Sequence, residues 1–364
     1  MKISAVELFT FTLPLRFPLF VRGKSLTSRQ GILLRLRDEN GNPGYGEISP
    51  LPGWHREDLK RAAREANGLR EFLPGKSLEP DFFLLEGKLE HWLSPRSVSP
   101  SVQFGLDMAL LNLIAANQEK SLFKLLSPQS RRYVKVNALL TGRDKELENE
   151  VTELLHQGYQ TIKMKVGKRP VEEDIDTIFR LRQFGGDQLS LRLDANRSWS
   201  LSEALKIGGA VGTVGIEYIE EPVNDPADLS QFYQETGIPC ALDETLQASH
   251  PRLVVRHRGI EALIIKPGVI GGVELAVDFA RFAASRGMKP IFSNPFYSGL
   301  GLSFLVQLAA AFAPVDTAMG LDTAKWFALD VLENPLPIKQ GRIDLQHIPQ
   351  HGQVIRTEVL RPLR

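Results

Sequence analysis

Thr161-Ile162-Lys163-Met164-Lys165-Val166-Gly167 is the stretch on which the rest of the chain is organised. It is a short apolar run, closed by glycine, with two lysines two residues apart. On a β-strand the side-chain period is two, so Lys163 and Lys165 share a face. Two ammonium groups on one face of a half-apolar strand repel each other and resist desolvation. Both effects lower a lysine pKa towards that of a base working near neutral pH. Taken alone, the stretch also reads as a solvated edge strand with two surface lysines; its neighbours along the chain decide between these.

From about Tyr133 onward, short apolar runs alternate with amphipathic segments. The runs are Val134–Leu139, Gln160–Lys165, Leu189–Asp194, Gly215–Glu220, Pro239–Asp243, Ala262–Lys266, Lys289–Ser293 and Asp316–Gly320. Helical patterns such as Lys145–His156, Val171–Gln183, Leu201–Val211, Gly272–Arg286 and Gly299–Phe312 lie between them. Strand and helix alternate without hairpin signals, which predicts parallel strands, and this many of them predicts a closed (β/α) barrel. The alternative is an open doubly wound sheet, but no G-x-G-x-x-G follows the first strand.

Before Tyr133 the order is strands first, helices after. Lys2 to about Pro14 alternates as a strand, Phe17–Lys24 reads as a loop, and Gly31–Arg37 as a second strand. A turn signal at Glu39–Asn42 precedes Gly44–Ile48, a third strand, and helical patterns run over about Arg56–Arg70 and Ser101–Ala116. Turn-rich sequence returns after about Asn334. The expected organisation is a small α+β capping region over residues 1–125, a barrel over 126–324, and a tail over 325–364 that packs back on the capping region.

Composition narrows the function classes. A net charge of +1 gives no reason to expect nucleic acid or an anionic membrane as partner. No apolar run is long enough for a membrane helix, and Glu7 falls where a signal peptide needs its apolar core. The single cysteine, Cys240, rules out an internal disulfide and fits a reducing cytoplasm, where we expect the protein to reside. The seven histidines show no metal-ligand spacing.

In a (β/α) barrel the active site lies at the C-terminal ends of the strands. Here five successive strand candidates end in Lys165, Asp194, Glu220, Asp243 and Lys266, each about one β/α unit after the last. Arg192 shares the face of Asp194, whereas Glu221 and Glu244 face away from Glu220 and Asp243. A single strand-end Asp is as readily a helix cap, but that explanation does not extend to five consecutive units. Three carboxylates at one mouth cannot all stay ionised cheaply without a cation. Oxygen-only ligation by Asp194, Glu220 and Asp243 points to Mg²⁺, with Mn²⁺ as the second choice. One lysine then stands on each side of the metal.

On these residues the chain resembles the enolase superfamily, in the muconate-lactonizing subgroup that carries Lys-x-Lys on the second barrel strand. The matching motifs are Lys163-Met164-Lys165, Leu193-Asp194-Ala195-Asn196, Ile219-Glu220-Glu221-Pro222, Leu242-Asp243-Glu244 and Ile265-Lys266-Pro267. The resemblance implies a modified (β/α)7β barrel of TIM type under an α+β capping domain. Gly44–Gly53 and Gly320-Leu321-Asp322-Thr323 are most similar to the o-succinylbenzoate synthase family. The subgroup's dipeptide epimerases instead carry Asp-x-Asp at the second place, to hold an ammonium group, where this chain has Gly320. The end of the seventh strand, Ser293-Asn294-Pro295-Phe296-Tyr297-Ser298, departs from the serine-rich pattern of many synthases.

The resemblance implies Mg²⁺-assisted syn dehydration of a cyclohexadiene carboxylate through an enediolate, a step towards menaquinone or phylloquinone. Lys165 would act as base, Lys266 would stand on the opposite face, and Lys163 would keep Lys165 partly neutral and orient it. Candidate substrate contacts are Arg192, Asn196, Ser293, Asn294, Ser298, Gly320, Trp54 and Arg22. Trp54 either excludes water from the mouth or simply packs between domains. The start of the helix at Ser298 and Gly299 offers N–H groups for a second substrate carboxylate. Two other functions stay open: racemisation or epimerisation of N-acylamino acids or dipeptides, and a non-catalytic barrel protein. The expected partner is a small-molecule carboxylate, and the oligomeric state is open.

Overall fold

A computed structural model of the chain describes residues 1–364 apart from 22, 95, 141–145, 251, 253–257, 349–353 and 364. Three antiparallel strands, β1 (Ile3–Val21), β2 (Lys24–Asp38) and β3 (Pro43–Ile48), open the chain. The turn between β2 and β3 is built by Asp38, whose carboxylate accepts from the backbone N–H groups of Asn40 and Asn42 at 2.9 and 2.8 Å. Gly41 supplies the positive φ this turn needs.

β1 runs past the loop expected at Phe17–Lys24. Its far part pairs with β2 from Leu19↔Leu26 to Val21↔Lys24, after a register shift between Pro14 and Leu19. The prolines at 14 and 18 flank the shift, where a missing N–H breaks no ladder bond. The result is a long hairpin arm. Its base docks on the segment after the barrel, where Ala328 N–H donates to the Pro14 carbonyl and Arg16 Nε to the Phe327 carbonyl.

The helix Pro100–Asn117 crosses this sheet and is buried around nearly its whole circumference. The sheet covers one side and the short helix Pro267–Ile270 of the barrel the other. Backbone approach is close: a Cβ at Gly46 would lie 1.8 Å from the Gly105 carbonyl oxygen, and one at Gly44 2.2 Å from that of Ala109. Glycine is therefore required at both positions.

β4 (Tyr133–Lys135) leads into seven parallel strands: β5 (Ala138–Leu140), β6 (Thr161–Lys165), β7 (Ser190–Asp194), β8 (Ile216–Glu220), β9 (Cys240–Leu242), β10 (Ile260–Ile265) and β11 (Lys289–Phe292). They pair in sequence order, each with the next. The ring closes through an eighth extended segment rather than a full strand. Met319 bridges Val136 and Gly320 bridges Ser293, both in parallel. This is the TIM-type barrel with a separate antiparallel capping sheet that the resemblance implied.

In the tail, β12 (Ile338–Lys339) pairs with β13 (Arg342–Asp344), which pairs in turn with β4, and β14 (Leu360–Pro362) pairs with β1. Among the described residues no helix is long and apolar enough to cross a membrane.

Candidate active site at the mouth of the barrel

The parallel register aligns the strand ends. Lys165 pairs with Asp194, and Asp194 with Glu220. Lys163, one layer deeper, points up between two carboxylates, with Nζ 3.1 Å from Asp194 Oδ2 and 2.6 Å from Glu220 Oε2. Lys165 Nζ lies 4.0 Å from Asp194 Oδ2 and donates to Asn196 Oδ1 at 3.1 Å. On the other side, Lys266 pairs with Asp243, and the Trp54 ring covers its Nζ at 4.4 Å from the ring centroid. Asp194, Glu220, Asp243 and Lys266 are all buried.

The electrostatics differ from the expectation for two like charges. Burial works to lower the Lys163 pKa, but Asp194 and Glu220 outweigh it and hold the group well above the usual lysine value. Lys266 is likewise raised, burial being overcome by Asp243 and Glu220. Glu220 is pushed upward by burial and by neighbouring Asp194. Burial also raises Asp243, against the pull of Lys266.

Among the described residues no three carboxylate, histidine or cysteine groups already converge at metal-binding distance. The lysine ammonium groups lie against the carboxylates instead. The donor set still suits a hard divalent cation. Glu220 Oε1 is buried without a hydrogen-bond partner, and Asp194, Glu220 and Asp243 stand on adjacent strand ends with oxygen donors only. Those three residues are the ones that could hold such an ion.

Glu221 faces away from Glu220, as parity requires, and organises the rim. Its carboxylate accepts from the backbone N–H of Asp243 at 2.9 Å and of Thr245 at 2.7 Å, and from Arg197 Nε at 2.9 Å. It thereby fixes the backbone of Asp243. Glu244 accepts from Asn196 Nδ2 at 3.1 Å.

Several expected substrate contacts are placed elsewhere. Arg192 shares the face of Asp194 but sits two residues, about 7 Å, deeper in the barrel. Its guanidinium is spent on Glu217 at 2.8 Å and the Ala318 carbonyl at 2.7 Å, and it lies over Tyr218. A register shift in β8 at this level brings Glu217 to it. Asn294 is buried, with its amide bonded to Tyr297 N–H and Thr323 Oγ1.

Ser298 is buried and bonded to Glu47, and Gly299 N–H donates to both oxygens of Asp330. The helix start expected to receive a substrate anion is therefore filled by two carboxylates of the protein. Gly320 does not open a space: a Cβ there would lie 2.8 Å from Ser293 Oγ. Asn196 has both ends of its amide engaged by protein groups. Trp54 and Ser293 remain at the mouth, half-buried, and Arg22 lies outside the described residues.

Above the mouth, Leu19, Val21 and Leu51 form a buried apolar cluster with Trp54 and Phe296 packed against it. Arg29 ties this lid-like layer together. It is buried, and it donates to the carbonyls of Ser49 at 2.8 Å and Phe296 at 3.1 Å. Neither Arg29, Glu47 nor Asp330 stands out in the sequence, because their partners are far away along the chain.

This barrel, its capping sheet and the Lys/Asp/Glu/Asp/Lys rim define an enolase-type protein, and the comparisons agree. Residues 146–359 match the family model for the enolase C-terminal domain-like fold, and residues 3–113 match that for the MenC N-terminal domain. The chain belongs to the enolase superfamily, and within it to the family of the o-succinylbenzoate synthase homologues. It is 33% identical to o-succinylbenzoate synthase of Vibrio cholerae over 91% of this chain and 92% of that one. It is 34% identical to the chloroplastic protein PHYLLO of Arabidopsis thaliana over 85% of this chain, but spans only 20% of that longer protein.

Among solved structures it is similar to the L-Ala-D/L-Glu epimerase of Bacillus subtilis, with TM-score 0.86 and 25% identity over 97% of this chain and 99% of the other. Muconate lactonizing enzyme from Pseudomonas fluorescens has the same fold, with TM-score 0.87 and 20% identity over 98% of each chain.

Proposed function

We propose that the protein is an o-succinylbenzoate synthase. It would convert 2-succinyl-6-hydroxy-2,4-cyclohexadiene-1-carboxylate to o-succinylbenzoate and water, as a step of menaquinone biosynthesis in the cytoplasm. Mg²⁺ would be held by Asp194, Glu220 and Asp243, with Mn²⁺ as a substitute. When bound, the cation supplies positive charge against the substrate carboxylate as negative charge develops there.

Lys165 takes the proton α to that carboxylate and returns it to the departing hydroxyl on the same face, which makes the elimination syn. Lys266, paired with Asp243 beneath Trp54, holds its charge on the opposite face. Lys163 bridges Asp194 and Glu220 and keeps both aligned. Formation of the aromatic ring drives the reaction.

The observation that carries dehydration over epimerisation is the rim after the eighth segment. Gly320 has no carboxylate. The carboxylate of Asp322 is buried, bonded to Lys325 at 2.6 Å and to Tyr159 Oη at 3.3 Å. Neither residue is placed to receive a peptide ammonium. Epimerisation or racemisation is the second reading, favoured by two lysines on opposite sides of the carboxylates and by the likeness to the Bacillus subtilis epimerase.

The test compares kcat/KM with Mg²⁺ for the cyclohexadiene, for N-succinyl amino acids and for dipeptides. We expect the first to be preferred, the second weak and the third absent. A preference for dipeptides would replace this reading with the second.

A further inference from the structure

We propose that Asn196 is a positioning residue whose carboxamide, held in one orientation by Glu244, fixes the terminal nitrogen of Lys165 at the barrel mouth. This rests on the reading of Lys165 as the group that moves the substrate proton. Three strand ends contribute. Lys165 closes β6, Asn196 follows β7, and Glu244 follows β9. Lys165 Nζ donates to Asn196 Oδ1 at 3.1 Å, and Asn196 Nδ2 donates to Glu244 Oε1 at 3.1 Å.

A carboxamide presents an acceptor at one end and donors at the other, and the two ends have nearly the same shape. Only the neighbours choose between its two orientations. An ammonium group donates only, and a carboxylate accepts only. Rotating the amide by half a turn would set its NH₂ against the Lys165 ammonium and its oxygen against the Glu244 carboxylate. Both contacts would then be repulsive. The pair of neighbours therefore admits one orientation.

The backbone supports the same arrangement. Asn196 and Arg197 have φ of 45° and 59°, a region that Asn enters more readily than most residues. The turn is pinned by Asn196 N–H on Asp194 Oδ1 at 3.3 Å and by Arg197 N–H on the Glu221 carbonyl at 3.0 Å.

Lys165 needs such a restraint. Its side chain is 45% exposed, whereas those of Lys163 and Lys266 are held in the interior at 13% and 10%. A long side chain in water occupies many rotamers, and a reacting group misplaced by about 1 Å can cost about 100-fold in rate.

The test uses Asn196→Gly, which keeps the left-handed backbone, together with Glu244→Ala, Glu244→Gln and the Asn196→Gly/Glu244→Ala double variant. Deuterium exchange at the substrate α-carbon is followed by NMR for whichever acid class the wild type accepts, alongside steady-state kinetics and Mg²⁺ titration by calorimetry. We expect Asn196→Gly and Glu244→Ala to lower kcat by about 10- to 100-fold, with KM and Mg²⁺ affinity near wild type. Glu244→Gln, whose amide oxygen still accepts from Nδ2, should recover most of the loss. The double variant should be no slower than the slower single one.

A raised KM at unchanged kcat would make Asn196 a substrate contact, and lost Mg²⁺ binding in Glu244→Ala would make Glu244 a ligand; either overturns the proposal. So does an equal loss in Glu244→Gln and Glu244→Ala. If the wild type exchanges none of the acids, the functional reading has failed. Crystals of Asn196→Gly then still decide the positioning: Lys165 spread over several rotamers supports it, and Lys165 unmoved overturns it.

Discussion

Glu47, in the last turn-ward residues of a capping-sheet strand, accepts hydrogen bonds from both the backbone N–H of Ser298 at 3.0 Å and its hydroxyl at 2.6 Å. The two residues are 251 apart in the chain. The same carboxylate also accepts from Gly301 N–H at 3.0 Å and Ser49 Oγ at 2.8 Å. The capping sheet thus caps the barrel helix Gly299–Phe312, which starts at the mouth. Burial pushes the Glu47 carboxyl above its usual range, while these four donors pull the other way.

Glu47→Gln should destabilise the fold although it is nearly isosteric. Ser298 Oγ and Ser49 Oγ can reverse their roles, but the two backbone N–H groups cannot. Each carboxylate oxygen serves one of them, so an amide NH₂ in either orientation faces an N–H donor. One buried donor is left unsatisfied, at a cost of about 1–3 kcal/mol. The urea midpoint should fall accordingly, and an unchanged midpoint would show that the capping bonds contribute no net stability.

Lys165→Arg should abolish turnover without affecting the fold. A guanidinium does not act as a base at neutral pH, and general acid–base catalysis contributes about 10²- to 10⁴-fold. The side chain is partly exposed and its only described carboxylate neighbour is at 4.0 Å, so the melting temperature should stay at the wild-type value. Retained kcat would move the base elsewhere on the rim.

Asp243→Asn should lose most Mg²⁺ affinity, read by calorimetric titration of the folded protein. It also leaves Lys266, buried and paired with Asp243, facing a neutral amide. Some loss of stability should therefore accompany it, and adding Lys266→Met should recover part of that loss. Unchanged Mg²⁺ affinity in Asp243→Asn would remove this residue from the ligand set.

The strand ends were legible because strand periodicity and parallel register are local rules. Lys165, Asp194 and Glu220 each close an apolar run, and the register sets them side by side. Depth was not legible. Parity gives Arg192 the same face as Asp194, but a barrel interior has layers, and Arg192 lies in the one below. Long-range pairing was hidden as well: nothing local marks Glu47 or Asp330 as the partners of Ser298 and Gly299. The arm of β1 looks like a loop in the sequence because its prolines break the alternation, while its pairing with β2 depends on a register shift.

Glu217 should impose an acid limit on stability. Burial opposes its ionisation, but Arg192, Ser190 and Lys289 prevail and hold its pKa down to about 2, below the 4.5 usual for a glutamate side chain. A carboxyl depressed in the folded state contributes stability that is present above about pH 4.5 and is lost as pH falls towards 2. The shift corresponds to about 3 kcal/mol at most. Denaturation of wild type and Glu217→Gln at several pH values should therefore show a gap that is constant above about pH 5 and closes below it. A gap independent of pH would assign the effect to packing rather than charge.

Gly320 decides a test of specificity that the sequence frames too simply. Its missing carboxylate suggests that Gly320→Asp would place a negative charge in an otherwise roomy pocket. The surroundings are tighter. A Cβ at this position would lie 2.8 Å from Ser293 Oγ, 3.1 Å from Ser293 Cβ and 3.4 Å from Ser293 Cα. Gly320 and Ser293 also form the bridge that closes the ring beside β11. Any side chain at 320 must first displace Ser293 at the mouth. Gly320→Ala, which adds no charge, should therefore already lower kcat/KM for the cyclohexadiene, and Gly320→Asp should lower it further without creating dipeptide epimerisation. Ser293→Gly removes two of the three close atoms and should restore part of the Gly320→Ala loss. If Gly320→Ala is as active as wild type while Gly320→Asp is not, charge alone governs this side of the pocket and the steric account is wrong.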